Sequence, residues 1–171
     1  LTKDLPTHTV RSEAQIAFQQ FSTPPALAYL AVHLARLSDE DVFLEPSAGT
    51  GIIASLAQGL AKSSVLNELE PTRADLLEGI FPESHVFRHD GAKLGALLSG
   101  NTRPSVIVMN PPFSISQSRG QDQNTAARHL RAAIDHLLPG GRVVAIMPDW
   151  FSPSASCGEV FRRTLESARV V

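Results

Sequence analysis

The chain has 171 residues, 43% hydrophobic and 19% charged, which is the composition of one globular domain and not of a disordered chain. Its net charge of −2 excludes a global basic field, so any nucleic-acid contact must come from a local patch. A single cysteine, Cys157, excludes an internal disulfide framework and fits a reducing, cytoplasmic interior, and no signal peptide or apolar run of the roughly 18 residues a membrane span needs is visible.

Leu1 to Val10 shows no periodicity and reads as a loose arm. Ser12-Glu13-Ala14-Gln15 fits a capping box, so residues 1–20 are expected to form an arm and a short helix, and residues 21–171 one domain. Phe21-Ser22-Thr23-Pro24-Pro25 follows, where Thr23 can cap a helix whose first turn tolerates both prolines and which runs through Leu27, Leu30, Val32 and Leu34. Asp41-Val42-Phe43-Leu44 reads as the first strand and Ile52 to Ala61 as a helix, joined by Glu45-Pro46-Ser47-Ala48-Gly49-Thr50-Gly51. Glycines in such a loop let the backbone pass close to a ligand, and the helix start offers free N–H groups. No Gly-Lys-Ser/Thr follows, which excludes a phosphate-gripping P-loop. Gly49-Thr50-Gly51-Ile52-Ile53-Ala54 also satisfies the dinucleotide pattern G-x-G-x-x-A, which keeps a nicotinamide enzyme open.

Ser64 to Asn67 reads as the second strand, ending at Glu68-Leu69-Glu70-Pro71. An acid at this distance from the glycines suits the ribose diol of a nucleoside cofactor. Glu70 fits the entrance of the next helix, Pro71 to Phe81, with a cap near Thr72. Val86-Phe87-Arg88 makes a third strand before His89-Asp90-Gly91-Ala92. Val106-Ile107-Val108-Met109 is a short apolar run, read as a buried fourth strand, and it delivers Asn110-Pro111-Pro112-Phe113 at its carboxyl end. In an open α/β sheet that is where ligands bind.

That tetrapeptide suits one kind of chemistry. A planar amino group, as on adenine or an amide, has a delocalised lone pair and is a poor nucleophile. Two acceptors aimed at its hydrogens favour the pyramidal, reactive nitrogen. Asn110 can supply a side-chain oxygen, the carbonyl of Pro111 a second, and Phe113 a flat face for the target ring.

Ser114 to Gln123 is polar and reads as a mobile loop beside this site, with Arg119 available to a phosphate. Thr125 to Leu138 is amphipathic and stops at Pro139-Gly140-Gly141. Arg142 to Met147 is the fifth strand, Trp150 and Phe151 beyond it are placed to line a base pocket or, as is commoner for rings at a strand end, to pack in the core, and Glu159 to Ala168 is a helix carrying Arg162 and Arg163. Arg169-Val170-Val171 looks like the opening of a sixth strand, so the chain reads as a piece of something longer, incomplete at its C-terminus. The six histidines show no metal spacing and are read as structural or solvated. Strands alternating with helices predict an α/β, doubly wound, mostly parallel Rossmann-like sheet, truncated after its fifth or sixth strand.

Asn110-Pro111-Pro112-Phe113 resembles the N-P-P-[YF] motif of S-adenosylmethionine-dependent methyltransferases acting on exocyclic or amide nitrogens. Glu45 to Gly51 resembles their D/E-P-x-x-G-x-G loop, and Phe21-Ser22-Thr23-Pro24-Pro25 the F-x-T-P-P segment of the amino-methyltransferases of DNA. The resemblance covers roughly residues 20–150 and implies an adenine-N6 DNA methyltransferase, more narrowly the methylase portion of a bacterial methylase–helicase protein. It implies S-adenosylmethionine as cofactor, held at its methionine end by Phe21, Ser22, Thr23 and Pro24 and by the loop Glu45, Pro46, Ser47, Ala48, Gly49 and Gly51. Glu68 is then the ribose ligand and Leu69 packs on the cofactor's adenine. Asp90, with Gly91 and Ala92, accepts from the adenine amino group, and Asn110 belongs to both the cofactor and the catalytic set. DNA and further domains of the same protein, a helicase among them, are the implied partners, with no membrane and no metal. An RNA-guanine or protein-glutamine N-methyltransferase would keep Asn110 to Phe113 without needing Phe21 to Pro25. A nicotinamide oxidoreductase would leave Asn110 to Phe113 unexplained. A catalytically silent cofactor- or DNA-binding module of a larger protein is the remaining alternative.

Overall fold

A computed structural model of the protein describes residues 22–96, 103–113, 115–117, 120–122, 124–154 and 158–171. The expected arm and capping box, Phe21, Arg119 and Cys157 lie outside the described residues. The elements in chain order are α1 (Pro25–Ala35), β1 (Val42–Glu45), α2 (Ile52–Ala57), β2 (Ser63–Asn67), α3 (Pro71–Ile80), β3 (His85–Phe87) and a 310 segment (Gly91–Ala96). They continue with β4 (Val106–Met109), β5 (Ile115–Gln117), β6 (Gly120–Asp122), α4 (Thr125–His136), β7 (Arg142–Ala145) and α5 (Gly158–Thr164).

Five strands form one parallel sheet in the order β3-β2-β1-β4-β7. Alternation along each strand splits its side chains between two cores. Phe43, Leu66, Val106 and Val108 face α1, α2 and α3 through Ala28, Val32, Ile53, Ala57 and Leu77. Leu44, Val65, Ile107 and Met109 face the other way, onto Leu94 of the 310 segment, Ala127, Leu130 and Ala133 of α4, and Phe161 near the end of the chain. Helical cover on both faces is why β4 is apolar at every position and wholly buried. β1 lies between β2 and β4, so the chain builds outward on one side of β1 and then returns to build on the other. The strand order therefore reverses at β1/β4, and a crevice opens there at the carboxyl ends of the strands.

The opposite, amino-terminal end is held by Asp41. Its carboxylate accepts from Ser38 N–H and Oγ (both 2.9 Å), from Ser105 Oγ (2.7 Å) and from Arg142 Nη2 (2.8 Å). Arg142 Nε also donates to the Ala35 carbonyl at 3.0 Å, so one ion pair ties together α1, β1, β4 and β7. Burial opposes ionisation of Asp41, but these hydrogen bonds and the guanidinium outweigh it and hold the carboxyl below its usual range.

Several expectations need correction. Thr23 does not cap α1: Pro24 occupies that position, no side chain caps it, and the Thr23 hydroxyl is used elsewhere. α2 ends at Ala57, short of Ala61, because the chain turns extended at Gln58 and left-handed at Gly59. α3 is capped by Glu70, whose carboxylate accepts from the Thr72 and Arg73 N–H groups, and not by Thr72. Residues 115–117 and 120–122 pair as an antiparallel ribbon where a loop was expected. Its strands are three residues each, polar but for Ile115, and too short for any alternation to show. Residues 169–171 carry no strand. Among the described residues no helix is long and apolar enough to cross a membrane.

Gly51 makes the close packing of the glycine loop against α3 possible. Its φ is +83°, and an added Cβ would stand 2.7 Å from Phe81 Cε2 and 2.8 Å from Leu77 Cδ2. Gly140 has a similar φ of +79° with open space around it. Gly51→Ala is therefore expected to lower the unfolding free energy by roughly 2–4 kcal/mol, backbone strain plus overpacking, and Gly140→Ala by only about 1 kcal/mol. Urea melts compare the two; equal losses would show that overpacking at Gly51 is absent.

Candidate active site

The crevice above β1 and β4 is a cleft of about 830 Å³. That lies within the roughly 300–1,000 Å³ of small-molecule sites. One wall comes from the loop after β1, through Pro46, Ser47 and Gly49; a second from Asn67, Glu68 and Leu69; a third from His89, Asp90 and Gly91. Asn110, Pro111, Pro112 and Phe113 close it from β4, with Ser22, Pro24 and Leu27 before and on α1, and Ile146 to Asp149 after β7. Five strand ends thus converge on one volume, four of them those that carry the sequence motifs.

Asn67 organises three of these walls. It is buried, and its amide nitrogen donates to the carbonyls of Pro46 (3.0 Å) and His89 (2.9 Å) while its oxygen accepts from the His89 N–H at 3.1 Å. Its own carbonyl accepts from Ala48 N–H at 2.9 Å. The loops after β1 and β3 are therefore locked to the end of β2. Motif reading missed Asn67 because it sits inside the strand run, where an amide looks like the strand's last residue and nothing more.

Glu68 was expected to face a ribose. It lines the cleft, but both carboxylate oxygens already serve the chain: Oε2 accepts from Gly49 N–H at 2.7 Å and Oε1 from Glu70 N–H at 2.9 Å. It is buried and braces the glycine loop, so it is not the free loop carboxylate that the sequence suggests, although each oxygen keeps a further lone pair for a ligand. Leu69 beside it is 49% exposed, an apolar surface ready for a planar ring. Gly49, at φ +58°, turns the loop toward the cleft.

Glu45, Ala48, Gly51, Thr23 and Ala92 do not line the cleft. Ala48 is core and Gly51 packs on α3. Glu45 lies fully buried behind the loop, where its carboxylate accepts from Ala54 N–H while Oε2 has no partner. Burial pushes its carboxyl well above the usual range, against the pull of that hydrogen bond and with help from the charge of Glu68. Thr23 is also buried, and its Oγ1 accepts from Asn110 Nδ2 at 3.0 Å across 87 residues of sequence. The hydroxyl expected to start a helix instead holds the amide of Asn110.

Asp90 Oδ1 accepts from Ala92 N–H at 3.0 Å, and Lys93 Nζ stands 3.8 Å from Oδ2. The unexpected neighbour is His129, from the first half of α4. It lines the cleft, is 5% exposed, places Nε2 3.9 Å from Asp90 Oδ1 and leaves Nδ1 without a partner. Burial lowers its pKa to about 4, against the attraction of Asp90, so the ring is neutral at neutral pH and the Asp90 contact is not an ion pair. No motif marks His129; it falls on the apolar face of an amphipathic helix, where a histidine reads as core. Trp150 and Phe151 pack in the core around Phe161, as rings at a strand end more often do, and do not line the cleft. Phe113 is 38% exposed at the cleft rim. Among the described residues no group of three or more histidine, cysteine or acidic side chains could hold a metal.

No protein-family model and no curated protein sequence matches the chain. Solved structures do match its fold. The methyltransferase subunit of a type I restriction-modification system from Streptococcus thermophilus superposes with a TM-score of 0.69 at 15% identity, covering 86% of this chain and 39% of its own. PH1948 of Pyrococcus horikoshii, described as an RNA methyltransferase, gives 0.62 at 24% identity over 89% of this chain and 70% of its own. SMU.1697c of Streptococcus mutans, solved with SAH, gives 0.52 at 13% identity over 72% and 71%. The fold is thus the Rossmann-like methyltransferase fold, and the chain spans well under half the length of the restriction-system subunit.

The lowered pKa of His129 makes stability depend on pH. The unfolded state takes up the proton near pH 6.5 and the folded state only near 4, so the contribution is full above 6.5 and lost as pH falls toward 4. The shift is worth roughly 3 kcal/mol. Glu45, raised, acts with opposite sign from about pH 4.5 upward. The difference between the stability curves of wild type and His129→Gln isolates the histidine, and is expected to slope only between pH 4 and 6.5; a flat difference would show that His129 is not held neutral.

Proposed function

We propose that the protein transfers a methyl group from S-adenosylmethionine to an exocyclic amino nitrogen, with adenine N6 of DNA as the substrate. The observation that carries this reading is Asn110, delivered by β4 to the point where the strand order reverses and tethered there by the Thr23 hydroxyl. With its NH2 donated to Thr23, the amide has its oxygen to offer. A carbonyl from Pro111, held at fixed φ, is the second acceptor. Two such dipoles favour the nitrogen as it gains positive charge. Phe113, exposed at the rim, offers the stacking face for a flipped base.

The cleft fits the cofactor. Pro46, Ser47 and Gly49 of the loop after β1 face the cleft where the cofactor's amino acid end would lie. Glu68 retains lone pairs for ribose hydroxyls, Leu69 supplies an apolar face for adenine, and Asp90 an acceptor for its amino group. The cofactor would supply an electrophilic methyl group on sulfur. The chain contributes orientation, which is worth roughly 7–11 kcal/mol of barrier when reacting groups are held in line. A nicotinamide enzyme would use the glycines and Glu68 but gives Asn110 and Thr23 nothing to do. The likeness to PH1948 supports an RNA base as the second reading.

Two measurements test this. SAH at 100 times its dissociation constant is expected to stabilise the fold by about 2.7 kcal/mol in thermal melts, with NAD giving none; protection by NAD alone would overturn the reading. In assays of tritiated methyl transfer to duplex DNA, RNA and protein, DNA is expected to be labelled at adenine. Asn110→Ala is expected to lower turnover by roughly 10²–10³-fold, the scale of one lost transition-state hydrogen bond, with SAH affinity nearly unchanged. Thr23→Val should lower turnover about tenfold and Thr23→Ser restore it. If Thr23→Val weakens SAH binding instead and spares turnover, Thr23 holds the cofactor and not Asn110.

A further inference from the structure

His129 has no part in the methyl transfer described above, yet its contact with Asp90 has the geometry of an unfinished hydrogen bond. Gly91 makes the approach possible: an added Cβ there would stand 2.7 Å from the Pro46 carbonyl and 3.0 Å from His129 Nδ1, so only glycine lets the imidazole lie against this loop. The ring is buried, neutral and unpartnered at Nδ1, and Nε2 stops 3.9 Å from Asp90 Oδ1. A neutral imidazole carries one N–H. With Nδ1 facing no donor or acceptor, the proton on Nε2 is the one that finds a partner within an ångström of movement. Asp90 Oδ1 already accepts from Ala92 N–H, so a second donor on that oxygen would fix the carboxylate plane and leave Oδ2 to the cleft. Lys93 Nζ, 3.8 Å from Oδ2 and 80% exposed, is too solvated to compete for it.

We propose that His129 is a positioning residue that makes the cleft specific for a 6-aminopurine: when the purine enters, its Nε2–H closes onto Asp90 Oδ1 and holds Oδ2 as acceptor for the ligand's amino group. This rests on the reading of the cleft as an S-adenosylmethionine site and adds to it the means of discrimination. A 6-amino group donates to a carboxylate; the 6-oxo group of a hypoxanthine presents an acceptor to the same oxygen and is rejected, the more strongly the less the carboxylate can turn away. A purely structural histidine would stabilise the fold without affecting this choice.

The test compares SAH with S-inosyl-L-homocysteine, its 6-oxo counterpart, by calorimetry on the purified protein. Wild type is expected to favour SAH by about tenfold or more, the scale of one hydrogen bond to a charged group. His129→Leu is expected to cut that ratio to about twofold through weaker SAH binding, whereas His129→Gln, which keeps an N–H donor, is expected to retain most of it. A folded His129→Leu protein with the wild-type ratio would overturn the inference and leave the cofactor reading intact. Failure of wild type to bind SAH would overturn both. The imidazole 15N resonances of wild type keep the idea testable should His129→Leu not fold. SAH is expected to shift the Nε2–H proton downfield and the 6-oxo ligand to leave it in place; a ring unmoved by saturating SAH would contradict the proposal.

Discussion

The site depends on one buried amide. Asn67 holds the loops after β1 and β3 to the end of β2 through three side-chain hydrogen bonds, and its carbonyl takes the Ala48 N–H. Those loops carry the glycine turn and Asp90, so the walls of the cleft have a fixed spacing set by a group that faces no solvent. Replacing it would leave the buried Pro46 carbonyl and the partly buried carbonyl and N–H of His89 unpaired, and a fully buried group so left costs about 1–3 kcal/mol. Glu68 extends the same logic by bracing Gly49. The cleft is preorganised from beneath, before any ligand enters.

The two ends of the sheet divide the labour. At the amino ends, Asp41 is fully partnered, by Ser38, Ser105 and Arg142, and its ionised form is favoured. At the carboxyl ends Glu68 is partnered at both oxygens, but two other buried titratable groups are left short. Glu45 keeps an oxygen without a partner and His129 a nitrogen. Burying a polar group unpaired opposes folding, and such groups concentrate where a ligand can complete them. Thr23 shows the contrary treatment at the same end: its hydroxyl is committed to Asn110 and fixes the direction of that amide.

Much of this was legible in the residues. The continuous apolar run Val106–Met109 marked a strand buried on both faces, and the punctuation after β1, β2 and β4 placed Gly49, Glu68 and Asn110 at one edge of a parallel sheet. The parts that stayed hidden depend on distance across the fold. Thr23 and Asn110 are 87 residues apart, so neither the helix-capping pattern nor the F-x-T-P-P segment could show that the hydroxyl holds that amide. Glu45 looked like a loop acid facing a ligand, but strand alternation turns it into the interior behind that loop. His129 sits among alanines and leucines of α4, and only the approach of the 310 segment through Gly91 makes it part of the cleft. Trp150 and Phe151 follow the commoner rule for apolar rings at a strand end: Phe151 packs against Phe161 and Trp150 against Phe151.

The central claim is that this cleft, and no other surface, receives the cofactor. Titrating SAH into 15N-labelled protein and following backbone amides locates the ligand directly. Shifts at Gly49, Glu68, Leu69, Asp90, Gly91 and Asn110, with Asp41, Ser105 and Gly140 at the far end unmoved, are the predicted result. Shifts clustered at the Asp41 end, or an unchanged spectrum with SAH in large excess, would contradict it.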